Sequence, residues 1–158
     1  MRRPRFLLRD NLGRLARWLR ILGYDAVVMK AIPFSTIISR ATKERRIFLS
    51  RCAKEMKLPA GVAHQLIRSD NHLKQLRELL PLLVLDESML FTRCIRCNRL
   101  LTTIDPARMQ DRIPAYVAQT HKHFTLCRHC GKVYWQGTHY ADMKRTLTDI
   151  FQTNEETL

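Results

Sequence analysis

Acidic residues are scarce in this chain of 158 residues, which has 14 Asp and Glu against 28 Lys and Arg. The formal net charge is +14, a surplus that indicates a polyanionic partner, with nucleic acid favoured over an acidic membrane. An enzyme with a neutral surface that acts on small molecules is disfavoured. No apolar run approaches the ~18 residues of a membrane span. The basic start, MRRPRFLLRDN, lacks a long apolar segment, so we expect no signal peptide.

Two glycine patterns that bind phosphate groups, GxGxxG and GxxxxGKS, are also missing, so neither a dinucleotide fold nor a P-loop is indicated. The cysteines number five, and four of them form CxxC pairs. An odd total with paired spacing favours metal binding in a reducing compartment over a disulfide framework. We therefore expect a cytoplasmic protein.

Composition divides the chain near residue 90, which predicts domains at 1–90 and 91–158. The first part has a net charge of +10, and the second has +4 and holds both CxxC pairs. Within the first part, apolar runs predict strands at 5–9, 26–29, 47–50 and 62–67, and helical patterns lie at 12–22, 35–44 and 71–85. Asn11 is the expected cap of the first helix, and Gly23 its end. This order predicts an α/β fold with a parallel sheet flanked by helices.

The second part is predicted to form a zinc ribbon with strands at 124–126 and 133–135 and a closing helix at 140–151. A CxxC places two thiolates on one turn, and two such turns complete a tetrahedron around Zn²⁺ with Zn–S distances of roughly 2.3 Å. Gly131 fits a turn that requires a positive φ. The predicted ligands of a structural zinc ion are Cys94, Cys97, Cys127 and Cys130. Two reduced thiol pairs or a redox CxxC are the alternative.

The basic residues form clusters, which predicts contacts to RNA phosphates. On the first helix, Arg14, Arg17 and Arg20 lie opposite the apolar face at about 100° per residue. Arginine suits bidentate phosphate contact. Trp18 adjoins the apolar face, which favours packing over base stacking for its ring. The expected RNA-binding residues are Arg9, Arg14, Arg17, Arg20, Arg45, Arg46, Arg51, Lys54, Arg93 and Arg96.

Several strings resemble the Mut-seven carboxy-terminal ribonuclease family, a PIN-like nuclease fold followed by a zinc ribbon. They are NLGRLARWLRILGYD, RIFLSRC, LIRSDNHLKQLREL, RCIRCNRLL, DRIPAYVAQTHKHF and CRHCGKVYWQGTHYADM. The resemblance covers roughly residues 5–145 and implies RNA cleavage by carboxylates at the carboxyl ends of parallel strands. Those carboxylates would hold Mg²⁺ or Mn²⁺, which activates water.

This chain departs from the family at the acidic positions that the resemblance implies. Arg9 stands where the family has an aspartate, with Asp10 one place later, and Cys52 occupies another acid position. The acids that remain for catalysis are Asp10, Asp25 and Asp70, although Asp25 could serve in a turn and Asp70 could cap a helix. We therefore expect RNA binding, of ribosomal or other structured RNA, with the nuclease centre lost. The alternatives are an active metal-dependent endoribonuclease and a protein-binding zinc-ribbon adaptor.

Overall fold

A computed structural model describes residues 3–109 and 111–155 of the chain. The chain forms two compact units that divide between Asn98 and Arg99. Composition predicts a division near residue 90 instead. That these parts are separate domains stays a prediction.

The first unit is built on a four-stranded parallel sheet in the order β2–β1–β3–β4. The strands are β1 (Arg5–Arg9), β2 (Asp25–Met29), β3 (Ile47–Ser50) and β4 (His64–Leu66). Phe6, Leu7 and Leu8 of the inner strand β1 are all fully buried. Such a continuous apolar run is typical of a parallel strand covered on both faces. The predicted α/β fold is confirmed.

Two helices connect strands of this sheet, and a third follows its last strand. They are α1 (Gly13–Ile21), α2 (Phe34–Glu44) and α3 (His72–Glu78). One core cluster joins Leu7 and Phe48 of the sheet to Ile37 and Ala41 of α2. Helices α1 and α3 pack against each other. In a parallel sheet with such crossovers, each helix begins near the edge where the preceding strand ends, and loops at that edge carry ligand sites.

Three predictions about helix ends need correction. The helix expected at 71–85 stops at Glu78, because Pro81 cannot continue an α-helix and Leu80–Leu82 form a 3₁₀ turn instead. Asn11 does not cap α1, since a 3₁₀ turn precedes that helix and Leu12 holds the cap position without a side-chain bond. Asn71, not Asp70, caps α3: its side-chain oxygen accepts from two backbone N–H groups.

Gly23 ends the α1 region as predicted, in the left-handed region at φ +84°. A Cβ atom there would lie 2.4 Å from the carbonyl oxygen of Met89. Only glycine therefore fits both the turn and the close approach of the chain.

The second unit contains a three-stranded antiparallel sheet in the order β5–β6–β7. Its elements are β5 (Thr102–Ile104), α4 (Ala115–Thr120), β6 (Phe124–Leu126), β7 (Val133–Trp135) and α5 (Thr138–Glu155). Strands β6 and β7 and the closing helix were predicted, whereas β5 and α4 were not. Ile113, Phe124 and Val133 form a small core. Among the described residues, no helix is long and apolar enough to cross a membrane.

Candidate metal centre and nucleic-acid interface

The four paired cysteines come together in a single cluster. The sulfur atoms of Cys94, Cys97, Cys127 and Cys130 all lie within 4.8 Å of one another. Tetrahedral Zn²⁺ with Zn–S bonds of roughly 2.3 Å separates its sulfur ligands by about 3.8 Å, which is within that limit. Cys94 and Cys127 are fully buried. Four cysteines are thus positioned to bind a metal ion, and four thiolates leave no open position for catalysis.

Each CxxC pair lies on a turn with the same backbone pattern. The carbonyl of Cys94 accepts from the N–H of Asn98, and that of Cys127 accepts from Gly131, both at 2.8 Å. Asn98 and Gly131 both have positive φ, at +63° and +71°. Asn and Gly are the residues that adopt this conformation most readily. The turn predicted at Gly131 is confirmed. Asn98 adopts the same left-handed conformation in the turn of the first pair.

Within the first unit, Arg20 supports the turn of Cys94 and Cys97. Its guanidinium donates to the carbonyl of Ala26 at 2.8 and 2.9 Å and to the carbonyl of Ile95 at 2.7 Å. The side chain is buried, and burial lowers its pKa. The prediction that Arg20 lies on the solvent face of α1 is wrong, because backbone carbonyls surround its guanidinium and compensate its burial.

Asp25 lies at the start of β2, in register with Arg5 at the start of β1. Its carboxylate accepts two hydrogen bonds from the buried Arg46, at 2.8 and 3.0 Å, and one from the Asn98 amide at 2.7 Å. Burial alone would raise the pKa of Asp25, but the bonds from Arg46 and Asn98 outweigh burial and hold that pKa well below its usual range. Asp25 therefore stays ionised as part of the framework of the fold.

Two further arginines predicted to bind RNA also form hydrogen bonds within this framework. Arg46 is only 4% exposed and is committed to Asp25. Arg93 donates to the carbonyls of Gly23 and Asn98, at 3.1 and 2.8 Å, and burial lowers its pKa. Both guanidinium groups are thus held by groups of the first unit.

The opposite edge of the sheet, where the strands end, is called the carboxyl edge below. Arg9 ends β1 and Ser50 ends β3, and both bind Glu55 of the 3₁₀ turn Ala53–Met56. Arg9 Nε donates to Glu55 Oε1 at 2.9 Å, and the Ser50 hydroxyl donates to Glu55 Oε2 at 2.6 Å. The bond from Arg9 lowers the pKa of Glu55, and the same contact raises the pKa of Arg9. Sequence reasoning missed Glu55 and Ser50, although Glu55 is the sole acid between Arg45 and Arg68.

The other acids near this edge are Asp10 and Asp70. Asp70 follows β4 and pairs with Arg51, which follows β3. Asp10 follows β1, is exposed, and accepts from the N–H of Asn11 at 3.0 Å. The structure thus places Asp10 and Asp70 after strand ends and Asp25 at the opposite edge. The three aspartates predicted from the resemblance do not form one group, because Asp25 begins its strand rather than following it.

The remaining predicted RNA-binding residues are accessible but lie at different places. Arg14 and Arg17 are exposed on α1, which begins near the carboxyl edge. Lys54 is exposed in the 3₁₀ turn that carries Glu55. Arg45 lies between α2 and β3, at the edge where the strands begin, and Arg96 is exposed between two cysteines. Of the predicted RNA-binding residues, those at or near the carboxyl edge are therefore Arg14, Arg17 and Lys54, together with the paired Arg9 and Arg51.

A family model described as the Mut7-C RNAse domain matches residues 4–147, nearly the whole chain. No curated protein and no solved structure matches the chain.

Proposed function

The chain belongs to the Mut7-C RNAse domain family, and from that premise we propose that it binds RNA at the carboxyl edge of its sheet without cleaving it. The Arg9–Glu55 ion pair is the observation that carries this proposal. This pair lies at the carboxyl end of β1, at the edge where open α/β sheets hold their ligands.

Metal-dependent cleavage requires several carboxylates that are available to a hard cation. Here Glu55 is held by Arg9 and Ser50, and Asp70 is paired with Arg51. A divalent ion would have to displace two guanidinium groups and then lie beside their positive charges. That arrangement opposes the binding of Mg²⁺ or Mn²⁺.

The charge around this edge supports RNA as the ligand. Helix α1 contains no acidic residue, and its exposed Arg14 and Arg17 are not balanced within the helix. Guanidinium groups bind phosphate oxygens in a bidentate geometry. Ribosomal or other structured RNA is the target that we propose, since such RNA presents many closely spaced phosphates. For the cysteine cluster we propose a structural zinc ion, and we propose a cytoplasmic location because the reducing cytoplasm keeps thiols available for metal binding.

A second candidate function is that of an active endoribonuclease, favoured by the family description and by Asp10. In the described part of the chain the Asp10 carboxylate makes no salt bridge, so it remains available to a cation. This candidate predicts cleavage that requires Mn²⁺ or Mg²⁺ and is lost in Asp10→Asn. RNA binding without cleavage predicts that the RNA stays intact with either metal, in the wild type and in Asp10→Asn alike.

Reversing the charge of Arg14 and Arg17 tests the proposed RNA surface. The double variant Arg14→Glu, Arg17→Glu is expected to weaken RNA binding at least tenfold. It should also make the negative slope of log K against log salt less steep by about two. The physical reason is the loss of two phosphate contacts. Fluorescence anisotropy with labelled RNA at several salt concentrations measures both quantities.

The matched control is the double variant Lys43→Glu, Arg45→Glu. It changes the net charge equally, but its residues lie near the end of α2, away from the carboxyl edge. This control is expected to lose much less affinity and to retain most of the salt slope. Equal losses in the two double variants would contradict a binding surface at the carboxyl edge, and no RNA affinity at low salt would contradict the proposed function.

A further inference from the structure

Trp18 of α1 and His72 of α3 form a pair of nearly parallel rings. Their planes differ by 16° and their centroids lie 6.4 Å apart. Two other aromatic pairs, Phe6–Tyr24 and Phe34–Phe48, meet edge to face instead, at 72° and 61°. At 6.4 Å the Trp18 and His72 rings cannot overlap fully, because full overlap places ring planes about 3.5 Å apart. Each ring therefore leaves much of its facing surface uncovered by the other.

Neither ring belongs to the fully buried core of α1 and α3. The fully buried residues of these helices include Leu15, Leu19 and Leu76. Trp18 and His72 are both only partly buried. The sequence favours packing for the Trp18 ring, but its partial exposure leaves part of the indole available for contact with a ligand.

The position of the rings links them to the proposed RNA surface. His72 is the first residue of α3, which follows β4, so it lies near the carboxyl edge. Helical side chains lean toward the amino end of their helix, and α1 begins near the same edge, so the Trp18 indole leans that way. Arg14, one helical turn before Trp18, is exposed, and so are Arg17 and Lys74. A flat apolar surface here adjoins several positive charges.

We propose that Trp18 and His72 form a platform on which an unpaired nucleobase stacks while the neighbouring phosphates bind Arg14 and Arg17. This inference rests on the proposed RNA binding and adds that the segment bound is unpaired, as in a loop or an end of a structured RNA. Bases in a duplex are already covered on both faces, whereas unpaired bases stack on aromatic side chains. The preference for single strands therefore comes from the two rings, and the affinity for phosphate comes from the arginines.

Trp18 itself reports on stacking, because the chain has only two tryptophans. In a Trp135→Phe background, the full-length protein is titrated with an oligouridine of about 12 nucleotides, a length within the usual range of single-strand sites. An RNA duplex with the same number of phosphates and an inorganic polyphosphate are the comparison ligands. Saturable quenching of Trp18 by the single strand is expected, together with at least tenfold tighter binding than the duplex and little quenching by polyphosphate.

Two variants separate stacking from a structural role of the rings. Trp18→Leu keeps an apolar residue in α1, and His72→Ala removes the second ring at a partly exposed position. Each is expected to weaken oligouridine binding about tenfold while leaving polyphosphate binding unchanged. His72→Ala provides the test if Trp18→Leu fails to fold, and Trp135→Phe is the control that keeps full affinity.

The outcomes distinguish this inference from the function on which it rests. Three results would overturn the stacking platform and leave RNA binding intact. They are binding of the single strand without quenching of Trp18, equal quenching by the duplex, and variants that lose oligouridine and polyphosphate binding equally. A single-stranded DNA of the same length shows whether the ribose contributes, since stacking alone does not distinguish the two. The absence of binding to every polyanion would instead overturn the proposed function.

Discussion

Replacing Cys127 by serine is expected to abolish metal binding and to unfold the three-stranded sheet of the second unit. Cys127 is fully buried and follows β6 directly. The core of this sheet has only a few buried residues, among them Ile113, Phe124 and Val133. A structural zinc ion contributes about 10–16 kcal/mol of apparent binding free energy at neutral pH, which equals or exceeds the whole stability of a typical domain.

Metal content by elemental analysis and folding by circular dichroism and NMR measure this effect. The matched control is Cys52→Ser, because Cys52 is exposed and lies outside the cluster. That control is expected to retain one metal ion per chain and its full stability. A Cys127→Ser protein that retains both the metal and the folded sheet would show that the cluster does not organise this part of the fold.

Replacing Arg46 by methionine is expected to lower the free energy of unfolding by about 3–5 kcal/mol at neutral pH. The substitution leaves the Asp25 carboxylate partly buried without its bidentate partner. Arg40→Met is the matched control, since Arg40 makes a partly exposed i,i+4 pair with Glu44, and surface pairs with this spacing contribute only about 0.3–0.5 kcal/mol. Urea denaturation of the three proteins measures the difference, and equal losses in both variants would contradict a structural role for the buried pair.

The destabilisation by Arg46→Met is expected to depend on pH. The pKa of Asp25 is depressed in the folded protein, so its ion pair contributes stability above the unfolded value of about 3.9. That contribution is lost as the pH falls through the lower, folded value. The difference between wild type and Arg46→Met should therefore be largest near pH 6 and shrink progressively below about pH 4. A difference that stays constant from pH 7 to pH 3 would contradict this assignment.

The strands and the cysteine cluster could be predicted because their signals are local. The apolar runs at 5–9 and 47–50 coincide with β1 and β3, and the two CxxC pairs meet in one cluster. Strand β5, with only three residues and no fully buried one, has no such signal. The helix beginning near residue 71 was predicted too long because its leucines continue the helical spacing past Pro81.

The role of individual arginines could not be predicted, because it depends on groups that are distant in sequence. Helical spacing places Arg20 opposite the apolar face, but carbonyls from residues 26 and 95 enclose it. Arg46 and Asp25 are 21 residues apart and meet only through the register of the sheet. The pair of Arg9 and Glu55 spans 46 residues. The sequence shows an excess of positive charge, whereas the fold decides which guanidinium groups remain available for RNA.

The most direct test of RNA binding without cleavage is to incubate the full-length protein with a labelled single-stranded RNA that it binds. The reaction is run with Mn²⁺, with Mg²⁺ and with a chelator, and the RNA is examined on a denaturing gel. Because Arg9 and Arg51 hold Glu55 and Asp70, the RNA is expected to be bound and to remain intact in all three conditions. Shortened products that require the metal and disappear in Asp10→Asn would show instead that the carboxyl edge is an active ribonuclease centre.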